Sequence, residues 1–234
     1  MQIVDIRKDM PRHPNVGLSY RKETDIRSLA IHHSLTTSGS PQAFANYHIH
    51  TNGWSIMGYT YVIMRDGTIY WCADHTIVTP HVGNSNRHAL GINLVGDFRR
   101  GKQQPTVEQR ASLSWLIAFL KSTLPNPNFD ILGHQEYPGY SRKDCPTNYQ
   151  DVRAFMDKIR LDSNQFMKLK EAGKMLKLDK PWMYETLAQN LKGLYNAKIL
   201  NSLEWYEKAK KQKITVDELA WVNNVCLTRH ITNK

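Results

Sequence analysis

Side chains that could bind a metal ion stand at three points where the chain leaves a strand-like run or lies in a loop. The first is His32 or His33 after "LAI", the second is His134 after "ILG", and the third is Cys145 in "KDCP". Two imidazoles and one thiolate, with a fourth position left to water, are the ligand count of a catalytic zinc site. These ligands are softer than those of magnesium or calcium sites. The alternative is a chance arrangement of a hydrogen-bonded histidine and a buried thiol, since the chain contains 10 histidines.

The segment "GHQEYPGYSRKDCP", residues 133–146, contains two of these candidates together with two glycines and two prolines. This composition predicts an irregular loop. Such a loop can carry the chain away from a metal at His134 and return it at Cys145. Lys143 lies in the same segment, two positions before Cys145.

Short strands and helices that alternate up to about residue 160 would position these residues. Strands are predicted at 28–33, 59–64, 68–72 and 90–96, with "RDG" at 65–67 as a hairpin turn. Helices are predicted at about 41–51, 106–122 and 148–160. We therefore expect an α/β fold in which helices flank a mixed central β-sheet.

The middle helix has the clearest boundaries. Thr106 and Gln109 have the spacing of a capping box at its start. Its apolar residues then recur on one face, at Leu113, Leu116, Ile117 and Leu120. This pattern predicts a helix that packs one face against the sheet.

Strand signals stop after about residue 163, and the remainder predicts a small all-α domain of three or four helices. Pro181 suits the first turn of one helix, and Thr215 with Glu218 forms a second capping box ahead of Cys226. Ile199, Leu203 and Tyr206 are expected to lie along a helix between them. We predict domains at 1–160 and 163–234, with a short join at 160–164.

Composition and charge limit the classes of function. The longest apolar run, "WLIAFL" at 115–120, is far shorter than a membrane span, and the charged start "MQIVDIRKDM" does not suit an export signal. We therefore expect a soluble protein made in a cytoplasm, with Cys72 and Cys226 as buried thiols rather than partners in a disulfide framework. The net charge of +10 predicts attraction to polyanions. Nucleic acid is the disfavoured partner, because no nucleic-acid motif occurs and the basic residues are spread rather than striped.

Four ordered motifs give these features a family context. They are "AIHHS", "GWSIMGYTYVIMRDGTIY", "PHVGNSNRHALGINLVGDF" and "GHQEYPGYSRKDCP". In this order they resemble the landmarks of the type 2 N-acetylmuramoyl-L-alanine amidases, which share their fold with the peptidoglycan recognition proteins. The sequence is most similar to the phage endolysin branch of that family. The resemblance spans about residues 25–158 and fades beyond about residue 160.

The resemblance assigns a role to each matching residue. It implies that one zinc ion is held by His32, His134 and Cys145, the last at a position that many relatives fill with aspartate. It implies catalytic roles for Lys143 and Tyr59, and substrate contacts for His81 and Asn86. The alternative for Tyr59 is that Tyr61, on the same strand face, takes its place. The alternative for Asn86 is that it only closes a turn. His48, His50, His75 and His88 are expected to pack or to lie on the surface. Trp54 is expected in the core, the alternative being that it lines the cleft.

The resemblance also implies an activity, which is zinc-dependent hydrolysis of the bond between N-acetylmuramic acid and L-alanine in peptidoglycan. A phage or prophage endolysin would act in this way on the bacterial cell wall after synthesis in the host cytoplasm. The alternative is a non-catalytic member of the same fold that binds peptidoglycan or another protein. For residues 163–234 we predict cell-wall binding through anionic wall polymers, the alternative being a domain that only stabilises or dimerises the enzyme.

Overall fold

The computed structural model describes residues 3–171 and 181–198, and beyond them residues 200, 202–215, 218, 219 and 222. Within this part the chain forms six strands: β1 Ile3–Asp5, β2 Ser28–His33, β3 Tyr61–Ile63, β4 Ile69–Trp71, β5 Ala89–Leu94 and β6 Asp130–Gly133. It also forms five α-helices: α1 Pro41–His50, α2 Val107–Thr123, α3 Val152–Glu171, α4 Pro181–Asn196 and α5 Glu204–Lys210. A membrane-crossing helix would need a longer apolar stretch than any described helix provides.

The six strands form one mixed sheet in the order β1-β4-β3-β5-β2-β6. Among the pairings between these six strands, only β3 with β4 is antiparallel, across the predicted "RDG" turn. β2 and β5 lie inside the sheet and are buried at every position, which explains their nearly continuous apolar sequences. The predicted α/β fold, with helices flanking a mixed central sheet, is confirmed.

Alternate side chains of the sheet face two different cores. Leu29 and Ile31 of β2 belong to the core formed with α2 and α3. Ala45 and Ile49 of α1 belong to a second core. Because neighbouring residues of a strand point to opposite faces, His32 lies on the side of α1.

The predicted capping box of α2 is present. Gln109 donates its backbone N–H to Thr106 Oγ1 at 3.0 Å, and Thr106 donates its backbone N–H to Gln109 Oε1 at 3.1 Å. The side-chain amide of Gln109 also donates to the carbonyl oxygens of Ile63 and Val95, at 3.1 and 2.9 Å. The cap therefore also ties the start of α2 to the ends of β3 and β5.

Two parts of the sequence-based prediction were wrong. The short strands β1 and β6 were not predicted, because they lack the aromatic residues that mark the equally short strands β3 and β4. The join at 160–164 is not an interruption, since α3 continues through it to Glu171. Its buried positions, Met156, Ile159 and Ser163, keep helical spacing across the expected break.

The chain divides into two compact units, Met1–Leu161 and Asp162–Lys234. In the second unit, α4 begins at Pro181, as predicted, and buries Tyr184 and Leu191 along its length. The predicted capping box of Thr215 and Glu218 is present. Glu218 donates its backbone N–H to Thr215 Oγ1 at 3.2 Å, and Thr215 donates its backbone N–H to Glu218 Oε2 at 2.9 Å. Ile199, Cys226 and the side chain of Trp182 lie outside the described residues.

Candidate metal centre and cleft

The three predicted metal ligands come together at one edge of the sheet. His32 is the last residue but one of β2, and His134 opens a short 3-10 helix directly after β6. β2 and β6 are parallel neighbours, with Ile31 beside Gly133, so the two histidines leave the same edge. The ligand atoms of His32, His134 and Cys145 all lie within 4.8 Å of one another, and all three residues are buried.

His33, the alternative to His32 in the sequence, turns to the opposite face of β2. Its ring lies 5.9 Å from the ring of Phe98, which belongs to the core of α2 and α3. Both of its ring nitrogens contact backbone atoms, those of Asp144 and Phe98. His32 is therefore the residue of this pair that faces the candidate metal centre.

A chain of hydrogen bonds fixes which nitrogen of His32 is free for a metal. Burial lowers the pKa of His81 to about 3, so its ring is neutral at pH 7. Its Nε2 lies 3.3 Å from the carbonyl oxygen of Ala89, which can only accept, so Nε2 carries the proton. His81 Nδ1 then accepts from Nε2 of His32, at 3.0 Å. This leaves the lone pair on His32 Nδ1, which lies 3.6 Å from Cys145 Sγ.

The other two donor groups also fit zinc. His134 Nε2 is buried and has no hydrogen-bond partner among the described residues. Burial, with a smaller contribution from the charge of Lys143, lowers the pKa of His134 to about 4, so the ring is neutral and can donate a lone pair. Burial raises the pKa of the Cys145 thiol to about 12, so metal binding must displace its proton. Two neutral imidazoles and one cysteine sulfur match the donor set of a zinc site with one open position.

The candidate centre lies in a cleft of about 560 Å³. One wall comes from the loop after β2, including Leu35 and Thr36, and another comes from α1. Lys143 and Tyr59 also line this cleft, as the predicted catalytic roles require. The volume suits a substrate of several chemical groups rather than a single small ion.

Tyr59 and Lys143 differ in their surroundings. The ring centre of Tyr59 lies 5.2 Å from that of His32, and burial raises the pKa of its phenol, which therefore stays protonated at pH 7. Lys143 is exposed to solvent. Tyr61, the alternative to Tyr59, lies in the opposite core and bonds His75 at 2.7 Å. The structure thus places one neutral O–H donor and one cation beside the candidate ligands.

Of the two predicted substrate residues, one lines the cleft and the other does not. His81 lines the cleft, but both of its ring nitrogens bond within the protein, so it supports His32 from behind. Asn86 does not line this cleft. Its side-chain oxygen accepts the backbone N–H groups of His81 and Val82, at 2.9 and 2.6 Å. The prediction of a substrate contact by Asn86 is therefore replaced by the alternative, closure of the turn that carries His81.

The cleft also contains His48, which was expected to pack or to lie on the surface, and Trp54, for which the cleft was the alternative to a place in the core. His48 accepts the backbone N–H of Gly58 on Nδ1 at 3.2 Å, and its ring centre lies 4.8 Å from Trp54 and 5.2 Å from Tyr59. The available signal was the helical spacing of Phe44, Tyr47 and His48, all three of which line the cleft. That spacing is equally typical of a core-facing helix.

Gly133 supplies a test of how tightly the centre is packed. An added Cβ would lie 2.8 Å from Cδ of Pro146 and 3.2 Å from Cγ of Met156. Because Pro146 follows Cys145, we expect Gly133→Ala to displace the ligand and to weaken zinc binding by about tenfold, as overpacking usually costs about 1–3 kcal/mol. The measurement is competition with a chromophoric chelator. Gly17→Ala is the matched control, since a Cβ there meets nothing within 4 Å. Unchanged zinc affinity in Gly133→Ala would show that the loop yields freely.

The chain is similar in sequence to proteins from a mammal and from a phage. The N-acetylmuramoyl-L-alanine amidase of Sus scrofa is 24% identical over 131 residues, which are 56% of this chain and 21% of that protein. The endolysin of Enterobacteria phage K11 is 31% identical over 98 residues, which are 41% of this chain and 62% of that protein. The chain thus spans only part of the length of these relatives.

A solved structure agrees with the sequence relatives. The N-acetylmuramoyl-L-alanine amidase LysC from Clostridium intestinale URNW has a TM-score of 0.54 and 26% identity, covering 67% of this chain and 98% of that chain. The sequence profile of the N-acetylmuramoyl-L-alanine amidase family matches residues 22–148, more than half of the chain and all of the cleft residues described above. The resemblance predicted from four motifs is confirmed: the chain belongs to the N-acetylmuramoyl-L-alanine amidase family.

Proposed function

We propose that the chain is a zinc-dependent amidase that hydrolyses the bond between N-acetylmuramic acid and L-alanine in peptidoglycan, and that it serves a phage as an endolysin. The observation that carries this proposal is the convergence of His32, His134 and Cys145 within 4.8 Å at one end of a cleft. Membership of the family supports the substrate class. The likeness to the endolysin of phage K11 supports the biological setting.

When bound, zinc supplies a nucleophilic water at neutral pH, since it lowers the pKa of water from about 15.7 to about 7, and it polarises the scissile carbonyl. The protein's own contribution begins with the orientation of the ligands. The bond from His32 Nε2 to His81 Nδ1 fixes the His32 ring, so that Nδ1 points at the metal position without a change of tautomer.

Tyr59 and Lys143 act on the charge that develops during hydrolysis. The oxyanion that forms on the carbonyl needs donors that are already in place. The protonated phenol of Tyr59 can donate one hydrogen bond, and its raised pKa excludes a role as a general base at neutral pH. The ammonium group of Lys143, which lines the same cleft, can supply a positive charge.

His48 adds a donor for binding substrate. Burial lowers its pKa to about 4, and its Nδ1 accepts from Gly58, so the neutral ring carries its proton on Nε2. In a cleft that also contains Trp54, this N–H can bond a carbonyl of the bound molecule while the indole provides an apolar surface. His48 and Trp54 would then bind substrate without taking part in the chemical step.

The alternative is a non-catalytic protein of the same fold that binds peptidoglycan. The complete donor set argues against it, because recognition alone does not require three metal-binding side chains around a shared centre. The presence of both Tyr59 and Lys143 beside this centre supports the enzyme for the same reason.

The test is incubation of the purified chain with peptidoglycan, with and without a chelator. We expect release of new amino groups at the stem peptides, loss of that release with the chelator, and its return with added zinc. Release of reducing sugar would instead identify a glycosidase. Binding to peptidoglycan without cleavage, at any zinc concentration, would support the recognition protein.

We also propose that the second unit, Asp162–Lys234, holds the enzyme on the cell wall through anionic polymers. Its support is an excess of basic residues and the cluster of Lys192 and Lys210 around Tyr206, at 5.4 and 5.6 Å from the ring centre. Binding of the full chain to isolated walls should fall steeply as salt rises, and more steeply than that of a Lys192→Gln, Lys210→Gln variant. Equal salt dependence would count against this surface.

A further inference from the structure

The loop that carries Lys143 and Cys145 has few regular supports. Residues 137–147, all of which the structure describes, form turns and extended chain without helix or strand. A catalytic centre requires its groups to stay within about 0.5 Å of their working positions. Specific contacts must therefore hold this loop against the sheet.

His33 makes such a contact from the strand that also carries His32. Its Nε2 lies 2.8 Å from the carbonyl oxygen of Asp144, and its Nδ1 lies 3.0 Å from the backbone nitrogen of Phe98. A carbonyl only accepts and a backbone N–H only donates, so the ring is neutral with its proton on Nε2. With a side chain only 2% exposed, His33 bridges two backbone segments inside the protein.

We propose that His33 is a positioning residue, which holds the loop at Asp144 and thereby keeps Cys145 and Lys143 at the metal end of the cleft. The bonded carbonyl belongs to the residue between these two side chains, so a shift there moves both. The inference rests on the proposed function only for the identity of the metal, because the bond and the loop are features of the chain alone.

The surrounding contacts give His33 a particular place in the centre. Thr147 donates its hydroxyl to the carbonyl oxygen of Phe98, so the loop is tied to the same short segment on both sides of Cys145. β2 carries His32 directly and pairs with β6, which leads to His134. Through His33, the same strand also sets the position of Cys145. β2 thus contributes to the position of all three candidate ligands.

Two substitutions separate the two bonds of His33. Asparagine has its polar atoms at the δ position, so His33→Asn can accept from Phe98 but cannot reach Asp144. Glutamine has them at the ε position, so His33→Gln can donate to Asp144 but leaves Phe98 without an acceptor. Each variant loses one buried hydrogen bond, and we expect similar unfolding midpoints for both in metal-free buffer.

Zinc affinity should separate the two variants. Loss of a contact that orients a metal ligand usually costs about 10- to 100-fold in affinity, and we expect a loss of this size in His33→Asn. His33→Gln should stay within about threefold of the unsubstituted chain, since loss of a contact remote from the ligand leaves its orientation intact. Affinity is measured by chelator competition without substrate. Equal affinities in the two variants would overturn the proposal.

Alkylation of the metal-free protein gives a second measurement that needs neither zinc nor activity. Cys145 is 4% exposed, and loss of one hydrogen bond shifts a local opening equilibrium by about tenfold. Peptide-resolved alkylation should therefore be about tenfold faster at Cys145 in His33→Asn than in His33→Gln. Buried Cys72 should react equally in both and serves as the internal control. If Cys145 also reacts equally in the two variants, His33 does not position the loop. If the chain binds zinc without cutting peptidoglycan, only the proposed function fails.

Discussion

Cys145→Ala is expected to lose both the metal and the hydrolysis of peptidoglycan, with a fall in rate of more than about a thousandfold. The side chain supplies one of three donors that lie within 4.8 Å, and nothing else in the described part of the cleft offers a sulfur. The two remaining histidines are neutral, so the variant also loses the one anionic ligand that zinc binding would create. The measurements are zinc content after dialysis and release of stem-peptide amino groups.

The control for this variant is the other described cysteine. Cys72→Ala removes a thiol of similar burial, at 1% exposed, from the core beside α1 rather than from the centre. It should lose some stability and keep both zinc and activity. Cys145→Asp should recover part of the zinc affinity, because a carboxylate is also a zinc ligand. Full activity in Cys145→Ala would remove the residue from the metal centre.

The central part of the fold could be predicted because its signals are local. The buried strand β2 has an apolar sequence, and Thr106 with Gln109 forms a reciprocal cap that its spacing reveals. β6 was missed for the opposite reason, since its four residues lack the aromatic residues that mark β3 and β4. The end of α3 was misplaced because a change in composition was taken for a change in structure, while the helical burial pattern continued to Ser163.

Only the ordered motifs singled out His32, His134 and Cys145 as the candidate ligand set. His32 and His134 become neighbours through the parallel pairing of β2 with β6, a register that neither segment encodes by itself. The supporting roles were predictable only in part. Turn closure was the stated alternative for Asn86, because asparagine is typical of turns. The bond of His33 to Asp144 has no sequence signature, because it ends on a backbone atom. Such contacts appear only when the chain is folded.

The second large effect is expected for Lys143. We expect Lys143→Ala to reduce kcat by about 100- to 1000-fold, the usual loss when one donor to a developing oxyanion is removed. The KM for peptidoglycan should change little, because the charge acts on the reacting carbonyl rather than on the bound ground state. The measurement is the rate of amino-group release over a range of substrate concentrations. Arg142→Ala is the matched control, since Arg142 is the adjacent exposed cation and does not line the cleft.

The direction in which zinc affinity changes in Lys143→Ala separates a catalytic role of Lys143 from a structural one. Burial lowers the pKa of His134, and the charge of Lys143 lowers it further. Burial raises the pKa of Cys145, and a backbone bond from His33 and then the charge of Lys143 offset part of that rise. The lysine charge therefore acts at both of these candidate ligands. A positive charge near the candidate ligands repels a zinc ion. Removal of that charge should therefore leave the zinc affinity unchanged or raise it. The backbone bonds of Lys143 to Tyr140 and Cys145 remain in the alanine variant. A loss of rate with zinc retained therefore has to arise in the chemical step, whereas a loss of zinc would show that Lys143 mainly holds the loop.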